Sequence, residues 1–130
     1  MKTLVMILAG AAIALTGTTA ALAKTPEQNE AKLARMLEGR TAGEPVSCIS
    51  ALNSNRMELF EHVGIVYDSG STIYVARPSD PRQLGRDDVV VINRFGGQLC
   101  NTDVIRTVDR YQGFTTGAVF LDKFVPYTKG

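Results

Sequence analysis

The sequence has no tryptophan, one histidine, two cysteines and almost no charge excess, with 14 basic against 13 acidic side chains in 130 residues. Each scarcity excludes something. A zinc site draws on several His or Cys ligands, and once the cysteines pair only His62 remains, so no metal is expected. A Ser-His-Asp triad would have to be built on the same His62, and no Gly-x-Ser-x-Gly elbow occurs to present its serine. His62 reads instead as a strand residue with a satisfied ring. No glycine-rich loop leads into Lys-Ser or Lys-Thr, so the common phosphate cradle is missing and no cofactor is expected. The balanced charge argues against a nucleic-acid partner, because phosphate binding needs concentrated Lys and Arg. There is no long hydrophobic run either. The apolar stretch at residues 4–15 would rise only ~18 Å as a helix, against ~30 Å for a bilayer core.

What that stretch does fit is a secretory leader. Lys2 supplies the positive start, residues 4–15 the apolar middle, and Ala21-Leu22-Ala23 the small residues at which a signal peptidase cuts. Residues 1–23 are therefore expected to be a signal peptide, with cleavage after Ala23. The remainder, 130 − 23 = 107 residues, suits one globular domain over residues 24–130. No cysteine lies near the cut to carry a lipid, so no transmembrane or lipid anchor is expected after processing. The expected location is periplasmic or secreted.

Export would deliver Cys48 and Cys100 to an oxidising compartment, and they are expected to form a structural disulfide. Closing that loop would remove chain entropy worth about 4 kcal/mol from the unfolded state. The rival, a catalytic thiol, would need His62 beside it and would leave the second sulfur without a role.

Thr25-Pro26-Glu27-Gln28 reads as a helix start, with Thr25 as cap, Pro26 in the first turn and Gln28 completing a capping box. The helix should run to about Glu38 and stop at Gly39, docking a stripe of Leu33, Met36 and Leu37 on a sheet, with Glu27, Glu30 and Lys32 in solvent. From Pro45 onward the pattern is β-type. Strands are expected at residues 46–49, 62–67, 72–77, 89–92, 104–109, 118–121 and 124–127, with Gly96-Gly97 turning the chain toward Leu99 and Cys100. A loop is expected at 51–56, a hairpin turn at Asp68-Ser69-Gly70-Ser71 and a surface loop at 78–85. Val89-Val90-Val91-Ile92 is apolar on both pleat faces, which predicts a strand covered on both sides. The fold class is α+β and mainly β: one N-terminal helix packed on a small antiparallel curled sheet or barrel of about six to seven short strands.

Ile65-Val66-Tyr67-Asp68-Ser69-Gly70-Ser71 resembles the apolar-Asp-Ser/Thr-Gly element of aspartic proteases. That resemblance implies a dimeric enzyme in which two copies of Asp68 share a proton. The downstream apolar-apolar-Gly element of such half-sized proteases is not matched, since Asp122 follows Ala118-Val119-Phe120-Leu121. Ser69-Gly70-Ser71-Thr72-Ile73-Tyr74 is similar to the Ser-Gly-x-x-Tyr signature of periplasmic lysozyme inhibitors, with one extra residue before the tyrosine. In a strand that shift turns the ring to the other face.

A wider resemblance rests on residues 39–49 (Gly-Arg-Thr-Ala-Gly-Glu-Pro-Val-Ser-Cys-Ile), Ile73-Tyr74-Val75 with Arg77-Pro78, Leu99-Cys100 with Asp103, Val108-Asp109-Arg110 and Phe124-Val125-Pro126-Tyr127. In these the chain resembles small exported proteins of alphaproteobacteria whose function is unassigned, a group that brings no catalytic residue to carry over. The sequence therefore predicts a non-enzymatic binding or structural module whose partner is an envelope protein or a small ligand. Any contact surface is expected at the hairpin tip and the 78–85 loop, with Arg77, Arg82 and Arg86 as its basic residues.

Overall fold

The computed structural model describes residues 25–85, 87–93 and 96–129. The expected signal peptide at 1–23 and the candidate contact residue Arg86 lie outside the described residues. The chain opens with helix α1 (Pro26–Met36), begun by the expected capping box: the Gln28 N–H donates to Thr25 Oγ1, and the Thr25 N–H donates to Gln28 Oε1. Leu33 is buried and Met36 and Leu37 pack beside it, as their spacing dictates. Asn29 is buried as well, and its Nδ2 donates to the carbonyl of Glu61, which ties the helix to the turn below it.

Among the described residues ten strands follow, in three antiparallel sheets. The largest has five: β1 (Arg40–Ala42), β10 (Val125–Lys129), β5 (Thr72–Ala76), β4 (Gly64–Asp68) and β3 (Met57–Phe60), in that spatial order. A two-stranded ribbon pairs β2 (Cys48–Ser50) with β7 (Gln98–Cys100), and a three-stranded sheet has the order β6 (Asp88–Ile92), β8 (Ile105–Asp109), β9 (Thr115–Val119). The mainly β, one-helix architecture is as the sequence indicates. The count of six to seven strands and the barrel are corrected: there are more strands, they are shorter, and among the described residues no sheet closes on itself.

Period-two alternation sorts the core into two layers on either side of the large sheet. Val66, Ile73 and Val75 point to the helix and pack with Leu33, Phe60 and Val63. Ile65, Tyr67 and Ala76 point the other way, to a larger core with Ile49, Leu84, Leu99, Ile105, Val119, Leu121 and Phe124. Gly64 sits hard against the end of β5; a Cβ there would lie 2.5 Å from the carbonyl oxygen of Ala76. The disulfide Cys48–Cys100 forms as expected, between residues directly opposed in the β2–β7 ribbon.

Four local expectations are corrected. His62 is not a strand residue; it occupies the turn between β3 and β4 with φ 59°. The loop expected at 51–56 ends in a short helical turn at Ser54–Arg56 that runs directly into β3. The 78–85 loop is anchored rather than free, because Leu84 is fully buried and Pro78 bridges Leu121. Most consequentially, β6 is not covered on both sides. It is the edge of the three-stranded sheet, where Val90 and Ile92 pack against the core while Val89 and Val91 remain 42% and 37% exposed.

Candidate functional site

The residues singled out by sequence do not converge. Arg77 leaves the end of β5 and donates through Nη1 and Nη2 to both carboxylate oxygens of Glu30 on α1, at 2.6 and 3.2 Å. That hydrogen-bonded partner holds the guanidinium pKa above its ordinary value. Arg82 is occupied locally: Nε and Nη2 donate to the carboxylate of Asp80, at 3.1 and 2.9 Å. The same Asp80 oxygen caps the short helical turn Pro81–Gln83 by accepting from the Arg82 N–H, and these bonds hold its carboxyl below the usual range. Arg77 and Arg82 thus each have their own counter-charge, and neither offers a free guanidinium to an anion.

The Asp68 motif is a turn. The Gly70 N–H donates to Asp68 Oδ1 at 2.8 Å, and Ser69 donates through both its N–H and its Oγ to the carbonyl of Thr72. Gly70 has φ 96°, which a side chain at that position would resist. Asp, Ser and Gly are each used by the hairpin itself. Tyr74, the aromatic of the second hairpin motif, lies half-buried against the larger core.

The geometry points elsewhere. A groove of about 450 Å³ opens between the large sheet and the three-stranded sheet, lined by Met57, Leu59 and Ile65 on one side and Val89, Val90 and Ile92 on the other. That volume is within the ~300–1,000 Å³ of small-molecule sites, and the lining is mostly aliphatic with a few polar groups, as such sites are. Asp88 and Arg110 are those polar groups. Asp88 is committed inward: one oxygen accepts from Thr116 Oγ1 at 2.9 Å and the other from the Gly85 N–H at 3.2 Å. The Arg110 N–H donates to the Asp87 carbonyl, whereas its guanidinium has no partner among the described residues.

No protein-family model, curated protein or solved structure matches this chain.

Both walls of the groove are strand edges. β3 ends the five-stranded sheet and β6 ends the three-stranded one, and among the described residues no ladder joins them. The direction of their free backbone groups follows from the ladders. In the β6–β8 pair the bond from the Arg110 N–H to the Asp87 carbonyl, 2.9 Å, fixes the phase. Val89 and Val91 therefore exchange bonds with β8, while Val90 and Ile92 turn their N–H and C=O toward the open edge. In the β4–β5 pair the Ser69 N–H to Thr72 carbonyl bond does the same work. It directs Val66 to β3, so that Glu58 bonds β4 and Met57 and Leu59 turn their backbone groups away. Thus four of the six aliphatic residues that line the groove, Met57, Leu59, Val90 and Ile92, also turn toward it backbone groups that no strand pairs among the described residues.

Sequence reasoning did not find this site. Its one signal is the Val-Val-Val-Ile run, too apolar for a half-covered edge strand. Met57 and Leu59 lie in a stretch with no other β-type punctuation, and Arg110 is indistinguishable in sequence from any solvated arginine. Among the described residues no helix is long and apolar enough to cross a membrane.

Proposed function

We propose that the chain is an exported, non-enzymatic binding module, periplasmic or secreted, and that the groove between β3 and β6 is its binding surface. The carrying observation is the groove itself: six aliphatic side chains around about 450 Å³ of open space, beside an arginine whose guanidinium has no partner among the described residues. Export is supported by the leader-like layout of residues 1–23 and by the Cys48–Cys100 bridge, since disulfides persist in oxidising compartments. The resemblance to small exported alphaproteobacterial proteins is in line with that location. The aspartic-protease and lysozyme-inhibitor readings both rest on residues 68–74, where the turn and the core already employ the side chains.

The test uses an anilinonaphthalene sulfonate dye, which brightens in apolar surroundings, added to the oxidised protein. The reading expects saturable binding that is lost in Val90→Glu and in the groove-filling, uncharged Met57→Trp. Val91→Glu places the same charge on the opposite face of the same strand and should leave binding unchanged. Equal binding by all four proteins would overturn the groove as the site.

A further inference from the structure

Resting on the groove as the binding surface, we infer that its occupant is an extended polypeptide segment that pairs as an added strand with the edge of β6, carrying apolar side chains at alternate positions and a carboxylate at its C-terminal end.

Three observations lead there. The first is the backbone. Val90 and Ile92 present N–H and C=O groups to an edge that no other strand and no side-chain hydrogen bond occupies among the described residues. An amphiphile could cover the aliphatic side chains but would leave those groups unanswered, whereas a strand answers them in the pattern by which peptides add to sheet edges. The second is that, among the described residues, the edge carries no lysine, proline or bulge. Natural edges are blunted by lysine, proline or bulges, yet β6 reads Asp-Val-Val-Val-Ile and its ladder with β8 is unshifted. The only register shift in that sheet lies between Thr107 and Val108, on the β8–β9 side.

The third is charge, which sets direction. Arg110 lies at the start of β6, beside Asp87 and Asp88, and is a groove-lining charge whose guanidinium has no partner among the described residues. Asp88 is bonded inward to Thr116 and Gly85, and the exposed Asp87 does not line the groove. A segment antiparallel to β6 ends where β6 begins, so its C-terminal carboxylate arrives at the Arg110 guanidinium, a charge-assisted match. Met57, Leu59 and Ile65 then cover the alternate side chains that face the groove, in the way pockets for every second residue give such complexes their selectivity.

The experiment uses oxidised, isotopically labelled protein and a pool of synthetic peptides of about six residues, the length of an ordinary strand. The peptides are acetylated and apolar at alternate positions, in a free-carboxylate form, a C-terminal amide form and a form N-methylated at alternate backbone nitrogens. The inference expects the free-carboxylate pool to slow amide exchange at Val90 and Ile92 by at least tenfold, the N-methylated pool to do nothing, and either the amide form or Arg110→Gln to weaken binding roughly tenfold. Peptide binding that leaves those two amides unchanged, or that N-methylation does not affect, overturns strand addition. Dye binding in the groove without any peptide effect overturns the inference while leaving the groove reading intact; loss of both overturns both. If Val90 and Ile92 are already protected in a dimer of the free protein, the edge belongs to a second copy and the inference also fails.

Discussion

Cys48 and Cys100 face each other across the β2–β7 ribbon at a position where the two strands exchange no hydrogen bonds, with Cα atoms 4.0 Å apart. The flanking bond from the Asn101 N–H to the Ser47 carbonyl fixes that phase, and non-bonded pairs are the closer ones in an antiparallel ladder. The next pair along, Ile49 and Leu99, turns inward and is buried in the larger core. The bridge therefore clamps the outer face of a ribbon whose inner face is part of the hydrophobic interior.

Replacing both cysteines by alanine is expected to lower stability by about 2–5 kcal/mol, the usual range for a native disulfide in a small domain. Urea unfolding of the oxidised wild type against the double variant measures this, with a lower midpoint expected for the variant. A difference under about 0.5 kcal/mol would show that the ribbon is held by its core contacts alone.

Phe124 is fully buried and its backbone exchanges hydrogen bonds with Val46 in an isolated bridge, so it joins the larger core to the segment leading into β2. Phe124→Ala should cost about 3–5 kcal/mol, the sum of lost transfer free energy and a residual cavity. Thermal or chemical unfolding reads it directly. The exposed Phe120, 65% accessible, is the internal comparison: Phe120→Ala should change stability by no more than about 0.5 kcal/mol.

The hairpin at Asp68 separates shape from chemistry. Asp68→Asn keeps the oxygen that accepts from the Gly70 N–H, so its stability should stay within about 1 kcal/mol of wild type. Gly70→Ala forces a side chain to φ 96° and should cost about 1–3 kcal/mol. Melting temperatures of the two variants, compared side by side, test this order; a larger loss in Asp68→Asn would mean the carboxylate charge does more than close the turn.

Arg77 and Glu30 join the helix to the large sheet, but both side chains are about half exposed, at 50% and 47%. Their coupling in a double-mutant cycle should be below about 1 kcal/mol and should shrink as salt is added, because water and ions screen a pair so placed. A coupling of several kcal/mol, insensitive to salt, would contradict the geometry.

What could be read in the sequence was local and periodic. Thr25 and Gln28 announced the helix start because a capping box is a short-range reciprocal bond, and Leu33, Met36 and Leu37 announced the buried stripe because helical spacing determines which side chains share a face. The disulfide followed from cysteine count and the reading of export. What escaped depended on neighbours far along the chain. β1 and β3 owe their extended conformation to pairing with β10 and β4, and Thr41 or Glu58 carries no mark of that partner. The exposure of Val89 and Val91 escaped for the same reason: an apolar run tells that a strand forms, not whether a second layer arrives to cover its far face. Arg77 and Arg82 looked like a pair of free cations because Glu30 lies on the helix and Asp80 engages its arginine only through the bend of the loop. The groove is thus a product of topology, made by two sheet edges that the chain order leaves facing one opening.

Amide hydrogen exchange along β6 in the free, oxidised protein tests the central claim most directly. Val89 and Val91 bond to β8, whereas Val90 and Ile92 point their N–H groups to an edge that no strand occupies among the described residues. The account predicts alternation, with slow exchange at Val89 and Val91 and exchange at Val90 and Ile92 faster by at least about tenfold. Uniform protection of all four amides in the monomer would contradict it, since the edge would then be filled and the groove would have no free backbone to offer.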